Sequence, residues 1–257
     1  MNKISAVIIT FNEEKNIARC INSVKDIADE ILVIDSNSTD RTVEIAKLLN
    51  AKIVLQKFLG YAEQKNFAIQ HINNDYVLSL DADEAISPNL KNEILKIKNE
   101  LSPRKAYEFN RITNYCGKWI KHGGWYPDRK IRLYNKNTAR WGGGNLHEKI
   151  ILDIDVVVKK INADIEHYSY YTIQDHIGQI QKFTNISSNE LFEKNKKAPL
   201  LKILFSGWVK FIRDFVFRLG FLDGYAGFRI AKISAFATFL KYSKLKELHD
   251  FRKNAEK

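Results

Sequence analysis

Two carboxylates one residue apart, Asp81 and Asp83, close the run Leu-Ser-Leu-Asp-Ala-Asp-Glu. Hard oxygen donors at that spacing suit Mg²⁺ or Mn²⁺, which keep waters and take their remaining ligands from substrate phosphates. The same residues also suit a capping turn ahead of Ser87-Pro88, where a helix is expected to open. Placement favours the cation, because the pair follows an apolar run that reads as a buried strand and Asp35 follows another. An ionised Asp35 accepts from two hydroxyl or N–H groups, as a ribose or a base offers them. The run Asp35-Ser36-Asn37-Ser38-Thr39-Asp40 is equally rich in turn formers, so a cap there is the competing reading.

The elements that must position these groups are short apolar runs over 5–10, 30–35, 52–55 and 75–80, which read as strands. Between them Ile17, Ile21 and Val24, then Val43, Ala46 and Leu49, recur at helical spacing. Asn12 and Asp40 are expected as side-chain acceptors near the helix starts. Alternation of strand and helix predicts an α/β fold with a parallel sheet covered on both faces, and such sheets bind ligands beyond the carboxyl ends of their strands. Thr10 to Glu13, Asp35 to Ser38 and Asp81 to Glu84 occupy those positions. No Gly-x-Gly-x-x-Gly loop follows the first strand and no Walker-type loop is present, which argues against a dinucleotide cofactor. Beyond Pro103, segments 107–115, 130–134 and 150–158 read as a mixed or antiparallel extension of the sheet, and helices are expected over 175–194 and from Pro199.

The chain has 257 residues and is 45% hydrophobic, enough for one large domain or two small ones. Cys20 and Cys116 each stand alone, which suggests neither a disulfide framework nor a structural zinc and favours a reducing compartment. The short apolar run before Thr10 falls below a signal peptide's core, so a cytosolic start is expected. The net charge is +11, and residues 196–257 hold 14 basic against 5 acidic residues, or +9 of it.

Four motifs in this order, Val-Ile-Ile-Thr-Phe-Asn-Glu-Glu, Ile-Leu-Val-Ile-Asp-Ser-Asn-Ser-Thr-Asp-Arg-Thr, Ala-Glu-Gln-Lys-Asn-Phe-Ala and Leu-Ser-Leu-Asp-Ala-Asp-Glu, resemble family 2 glycosyltransferases over residues 3–100. The resemblance implies a GT-A fold, with a Rossmann-like nucleotide-binding sheet, and inverting transfer from a nucleoside diphosphate sugar. Gly123 to Tyr134, Leu146-His147-Glu148 and Leu219 to Gly224 resemble a narrower group, the bacterial lipopolysaccharide core β-glucosyltransferases. On that resemblance Thr10, Asn12, Glu13, Asp35 and Lys65 line the nucleotide, Asp81 and Asp83 serve ribose and metal, and the second half holds the acceptor. The expected division is 1–104 for the nucleotide sugar, 105–195 for the acceptor and 196–257 for a basic helical region.

Inverting displacement also needs a base for the acceptor hydroxyl. Glu148, after Gly142-Gly143-Gly144, is the first candidate and Asp128 the second, each of which could equally sit in a surface salt bridge. His147 and His167 are candidates to complete a metal shell. Arg129, Arg132 and His147 suit a diphosphate or an anionic acceptor, with solvated edge-strand charge equally open for the two arginines, and Trp125 and Tyr126 suit a sugar face or a place in the core. From Lys202 to Arg218, helical spacing gathers Lys210, Arg213, Asp214 and Arg218 on one side and aromatic and aliphatic residues on the other. Such a helix suits an anionic membrane surface rather than a membrane crossing, and a helix packed on the catalytic domain is the competing reading.

The expected partners are therefore a UDP-sugar, a glycolipid and the inner face of the plasma membrane, with no nucleic acid. A metal-dependent nucleotidyltransferase and a basic nucleic-acid-binding protein are the competing readings. The first normally carries a glycine-rich phosphate loop, and the second has no use for Asp81 and Asp83.

Overall fold

Four β-branched runs form the parallel half of a sheet in the computed structural model, which describes residues 2–143 and 148–255. They are β1 (Ile4–Thr10), β2 (Glu30–Asp35), β3 (Lys52–Leu55) and β4 (Tyr76–Asp81), in the order β3-β2-β1-β4. Between them run α1 (Ile17–Val24), α2 (Thr42–Leu48) and α3 (Tyr61–Ile69). Alternate side chains of β1 enter different cores, as a strand's period of two requires. Ile4, Ala6 and Ile8 pack with Ile17, Ile21 and Leu90, while Val7 and Ile9 pack with Ala62 and Ala68. The fold is thus α/β with both faces covered.

After β4 come β5 (Glu84–Ile86), α4 (Pro88–Ile97) and a 3₁₀ turn at Lys98–Glu100. Ser87 caps α4 by accepting from the Leu90 N–H, with Pro88 at its first position. The strands that follow are β6 (Lys105–Tyr115), β7 (Lys118–Ile120), β8 (Asp128–Asn135), β9 (Ala139–Gly142), β10 (Lys149–Leu152) and β11 (Val157–Tyr170). Beyond β4 the sheet continues as β8-β6-β11-β5 with antiparallel pairing at β4 and β8, so it is mixed, as expected. β9 and β10 form a separate antiparallel ribbon. The single segment expected over 150–158 is instead two strands, because the polar Asp153 turns the chain: Val156 N–H donates to its carbonyl.

By packing, the chain divides into Met1–Ile112 with Asp128–Tyr168, and Thr113–Pro127 with Ser169–Lys257. The second unit holds α5 (Ile173–Glu193), α6 (Leu200–Ile212) and α7 (Gly224–Ala255). Thr172 and Asp175 close a reciprocal capping box at the start of α5. α6 crosses α7 closely at Gly207, where an added Cβ would lie 3.0 Å from the Ala235 carbonyl oxygen.

The helix expected to run unbroken to Arg218 stops at Ile212 and passes into a π-helical turn, Arg213–Phe217. The cause is Asp214, 3% exposed, which draws Lys210 (2.5 Å), Arg213 (3.0 Å) and Arg218 (3.7 Å) around one carboxylate. A 3₁₀ turn, Gly220–Asp223, follows Leu219, which adopts a left-handed conformation at φ 57°. Among the described residues no helix is long and apolar enough to cross a membrane.

Candidate functional site

Strand register brings the acidic positions together. Thr10 pairs with Asp35 across β1 and β2, and Ile9 with Asp81 across β1 and β4, so all three end at one carboxyl edge of the parallel sheet. The antiparallel pairing of β5 with β11 sets His167 opposite Glu84, and Tyr168 N–H donates to the Asp83 carbonyl at 2.8 Å. As a result His167 Nε2 lies 3.1 Å from Asp83 Oδ2.

Asp81 begins a chain of alternating charge. Its Oδ1 is 3.0 Å from Lys65 Nζ and its Oδ2 is 3.0 Å from Arg132 Nη2. Arg132 also reaches Glu84 Oε1 at 2.6 Å, and Arg111 reaches the same oxygen at 3.1 Å. Arg111 then meets Asp128 at 2.5 Å, and Lys130 meets Asp128 at 3.0 Å. At the other end Lys65 Nζ is 3.5 Å from Glu148 Oε1.

Burial would raise the Asp81 carboxyl, but Lys65 and Arg132 overcome it and hold the group far below the usual carboxylate range. For Arg132 burial acts downward, and Glu84 with Asp81 outweighs it, so the guanidinium stays charged. Asp128 is likewise held low, with Arg111 and Lys130 prevailing over burial. Lys65 lies on α3 and is 1% exposed, with its ammonium 4.4 Å from the centre of the Trp141 ring. Asn66, next to it, bonds Trp141 on both sides of the peptide: its Nδ2 donates to the Trp141 carbonyl and its Oδ1 accepts from the Trp141 N–H, each at 2.9 Å. That double contact fixes β9, and with it the ribbon whose β10 follows Glu148.

Glu13 belongs to the same edge. Burial pushes its carboxyl up to about 7, the Asn16 amide at 2.8 Å works against the rise, and Asp83 and Asp40 add to it. Asp35 is fully buried and accepts from the Ser38 N–H (2.8 Å) and hydroxyl (2.5 Å), the geometry of the turn reading. Asn12 caps no helix: it has φ 54° and ties two loops, donating its N–H to Ser38 Oγ and accepting from Thr39 N–H. Asp40 accepts from the Thr42 N–H and hydroxyl at the start of α2, as expected. Among the described residues Thr10 Oγ1 and Arg132 Nε are buried polar atoms without a hydrogen-bond partner.

Other expected residues lie elsewhere. Arg129 turns to Asn162 (3.2 Å) and Glu108 (3.9 Å) rather than to the charge chain. Trp125 belongs to the second unit, where its ring packs on Tyr115, Tyr170 and His176. Tyr126 is also in that unit, and His147 lies outside the described residues. The sequence reading put Glu84 at the ligand edge without a role, and missed Arg111, Asn66 and Trp141. Glu84 stands inside a quoted motif and Asn66 inside another, whereas Arg111 and Trp141 join through long-range pairing that leaves no local signal.

Among the described residues no group of three or more His, Cys, Asp or Glu side chains is placed to hold a cation. The pair Asp83 and His167 nevertheless fits one, since Mg²⁺ and Mn²⁺ sites commonly use one or two protein ligands and complete their shell with substrate phosphates and water. Asp81 has each oxygen already engaged by a cation. Lys65 and Arg132 beside it offer positive charge to a diphosphate.

The model of the family described as Glycosyl transferase family 2 matches residues 5–150. A Rickettsia typhi protein described as an uncharacterized glycosyltransferase is 38% identical, over 96% of this chain and 88% of its own. The lipopolysaccharide core biosynthesis glycosyltransferase LpsC of Rhizobium meliloti is 26% identical, over 96% of this chain and 93% of its own. A crystal structure of glucosyl-3-phosphoglycerate synthase from Mycobacterium tuberculosis, with Mn²⁺, UDP and glucosyl-3-phosphoglycerate, aligns over 44% of each chain with 25% identity and a TM-score of 0.36.

Proposed function

The chain belongs to glycosyltransferase family 2, and from that premise we propose that it moves a sugar, glucose on the narrower resemblance, from a UDP-sugar to a membrane glycolipid such as lipopolysaccharide core. The family sets aside the nucleotidyltransferase and nucleic-acid readings. Its GT-A-like α/β fold provides the carboxyl edge on which the donor would lie. The observation that carries the reading is the Asp83–His167 pair beside the Lys65–Asp81–Arg132 group. LpsC, named for core biosynthesis, supports the acceptor class.

In this reading Asp83 and His167 would hold Mg²⁺ or Mn²⁺, which when bound neutralises charge on the departing UDP. Thr10 Oγ1, with no internal partner, is available to the nucleotide, as are Asn12, Glu13 and Asp35 at the same edge. Lys65 and Arg132 face the diphosphate. Arg132 cannot swing away freely, because Glu84 and Asp81 anchor it from below. Such preorganised charge stabilises a leaving anion without reorganisation at the moment of reaction.

For the base, Glu148 is preferred to Asp128. Asp128 is held low by Arg111 and Lys130 and so binds a proton weakly, whereas Glu148 has the single cation Lys65 beside it, at 3.5 Å. Trp125 and Tyr126 remain the acceptor-side candidates. The enzyme would work from the inner face of the plasma membrane, with the +9 segment toward anionic lipid.

The deciding experiment is thermal stabilisation by UDP with and without Mn²⁺, followed by UDP release from UDP-glucose in the presence of lipopolysaccharide core glycolipid. Stabilisation by UDP that requires Mn²⁺ and disappears in Asp83→Ala is the expected result. Equal stabilisation without metal and in Asp83→Ala overturns it.

A further inference from the structure

α6 is inside out. An amphipathic helix in a water-soluble fold turns its apolar stripe inward and its charges outward. Here Leu200, Leu201, Leu204, Phe205, Trp208, Val209, Ile212 and Val216 recur along one stripe, and all are exposed, Trp208 by 69%. The face turned to α7 carries Ile203, Gly207 and, past the end of α6, the carboxylate of Asp214, with Lys210 and two arginines gathered on it. Exposure does not end with the helix. Phe217 (77% exposed), Leu219, Phe221, Leu222 and Tyr225 are also exposed, over the π-helical turn, the 3₁₀ turn and the first turn of α7.

Scattered exposed apolar side chains are ordinary, but a contiguous face of aromatic and aliphatic groups of this extent marks an interaction surface. We propose that this composite face of the second unit, from Leu200 to Tyr225, inserts into the acyl–headgroup boundary of an anionic bilayer. The inference deepens the membrane part of the reading above and does not depend on the transfer chemistry.

Three features choose the occupant. Basic groups border the face: Lys202 is exposed, and Arg213 and Arg218 are about half exposed at their side chains while shared with a single carboxylate. Negative lipid headgroups complement that border. A second copy would instead bring its own +9 segment against this one, like charge on like. Finally, among the described residues no helix can cross a bilayer, so a flat, in-plane contact is the geometry left to an apolar face of this kind.

The sequence suggests a helix basic on one side and apolar on the other, in the plane of an anionic surface. In the structure Asp214 gathers Lys210, Arg213 and Arg218 on itself, and the aromatic side chains are exposed. Apolar burial should therefore hold the protein, with charge guiding it to anionic membranes, and the two make opposite demands on salt.

The test is sedimentation of the full chain with phosphatidylcholine vesicles, with and without phosphatidylglycerol, at low and high NaCl. Wild type is compared with the triple variant Phe205→Ser/Trp208→Ser/Phe217→Ser. All three side chains are exposed, so the variant should keep its circular dichroism and its melting temperature. A partition coefficient lower by roughly tenfold or more in the variant, with most wild-type binding surviving high salt, is expected. Brominated acyl chains should quench wild-type tryptophan fluorescence, and the added quenching should vanish in Trp208→Phe.

Variant binding equal to wild type, or complete release of wild type by salt, overturns insertion and leaves charge alone as the anchor. A wild-type dimer in lipid-free solution that becomes monomeric in the variant, without loss of lipid binding, assigns the face to a second copy and also overturns it. If wild type binds no vesicle even at low salt, the membrane reading itself falls.

Discussion

The two units place charge and hydrocarbon in opposite ways. In the first, apolar side chains of β1, β2 and β4 fill cores on both sides of the sheet, and Lys65, Asp81, Arg132, Glu84 and Arg111 form an alternating chain at its edge. In the second, Asp214 is inside, while Phe205, Trp208 and Phe217 are outside. The contrast teaches that burial alone does not tell which medium a surface meets. On the readings proposed above, the first unit would serve a polar ligand at a strand edge, and the outer face of the second an apolar phase. Where the two rules differ, substitutions should differ in kind.

The largest expected effect is at the open end of the charge chain. Glu148→Gln keeps size and loses basicity, so kcat should fall by about 10² to 10⁴, the span of general-base catalysis. Affinity for UDP should change little. Asp128→Asn should cost kcat far less, because Arg111 and Lys130 already depress that carboxyl. Steady-state kinetics of both variants separate the two assignments, and near-normal turnover in Glu148→Gln removes Glu148 from the chemistry.

Next comes the middle of the chain. Glu84 is fully buried, takes Arg132 at 2.6 Å and Arg111 at 3.1 Å, and accepts the Asp81 N–H at 3.1 Å. Glu84→Gln leaves the buried Arg132 and the partly buried Arg111 short of a counter-charge, which should lower unfolding free energy by about 3 to 5 kcal/mol. Urea titration measures it. A loss under about 1 kcal/mol would show that water screens this chain, and the contrast between the units would weaken accordingly.

These two cases also show how far the sequence could be read. The parallel strands were legible because each is a short β-branched run, and Asp35, Asp81 and Asp83 were legible as candidates because strand ends in such sheets are where ligands sit. His167 was named by residue type, yet its approach to Asp83 follows from the β5–β11 register, which no local pattern records. Arg111 meets Asp128 for the same kind of reason, through the β6–β8 pairing. Over 200–218 periodicity gives the two faces but neither the break after Ile212 nor the face that turns inward, because these follow from the packing of Gly207 against Ala235 and the cation cluster on Asp214.

A smaller effect tests the interior of the second unit. His176, 3% exposed, lies among Tyr115, Trp125 and Tyr170, with Nδ1 3.1 Å from the Tyr115 hydroxyl. Burial pushes its imidazole down from 6.5 to about 4. Between those values the unfolded chain takes a proton that the folded one refuses, so stability rises with pH there. The contribution is complete above about 6.5 and is lost as pH falls toward 4, up to about 3 kcal/mol. His176→Gln should flatten that part of the stability–pH curve, read as melting temperature across the window, and an unchanged slope would place the titration elsewhere.

The smallest expected effect is the most discriminating between the units. Trp141 is 6% exposed, donates its indole N–H to the Tyr134 hydroxyl at 2.8 Å and lies under the Lys65 ammonium, so its loss disrupts packing and polar contacts together. Trp208, of the same residue type and 69% exposed, has little protein to lose. Trp208→Ser should therefore change unfolding free energy in lipid-free buffer by no more than about 0.5 kcal/mol, the range for surface positions. If its outer medium is lipid, the same substitution should weaken vesicle binding while the urea midpoint stays fixed. A large loss of stability without lipid would mean that the aromatic face is already packed against protein in solution, and the difference drawn between the two units would then vanish at its strongest point.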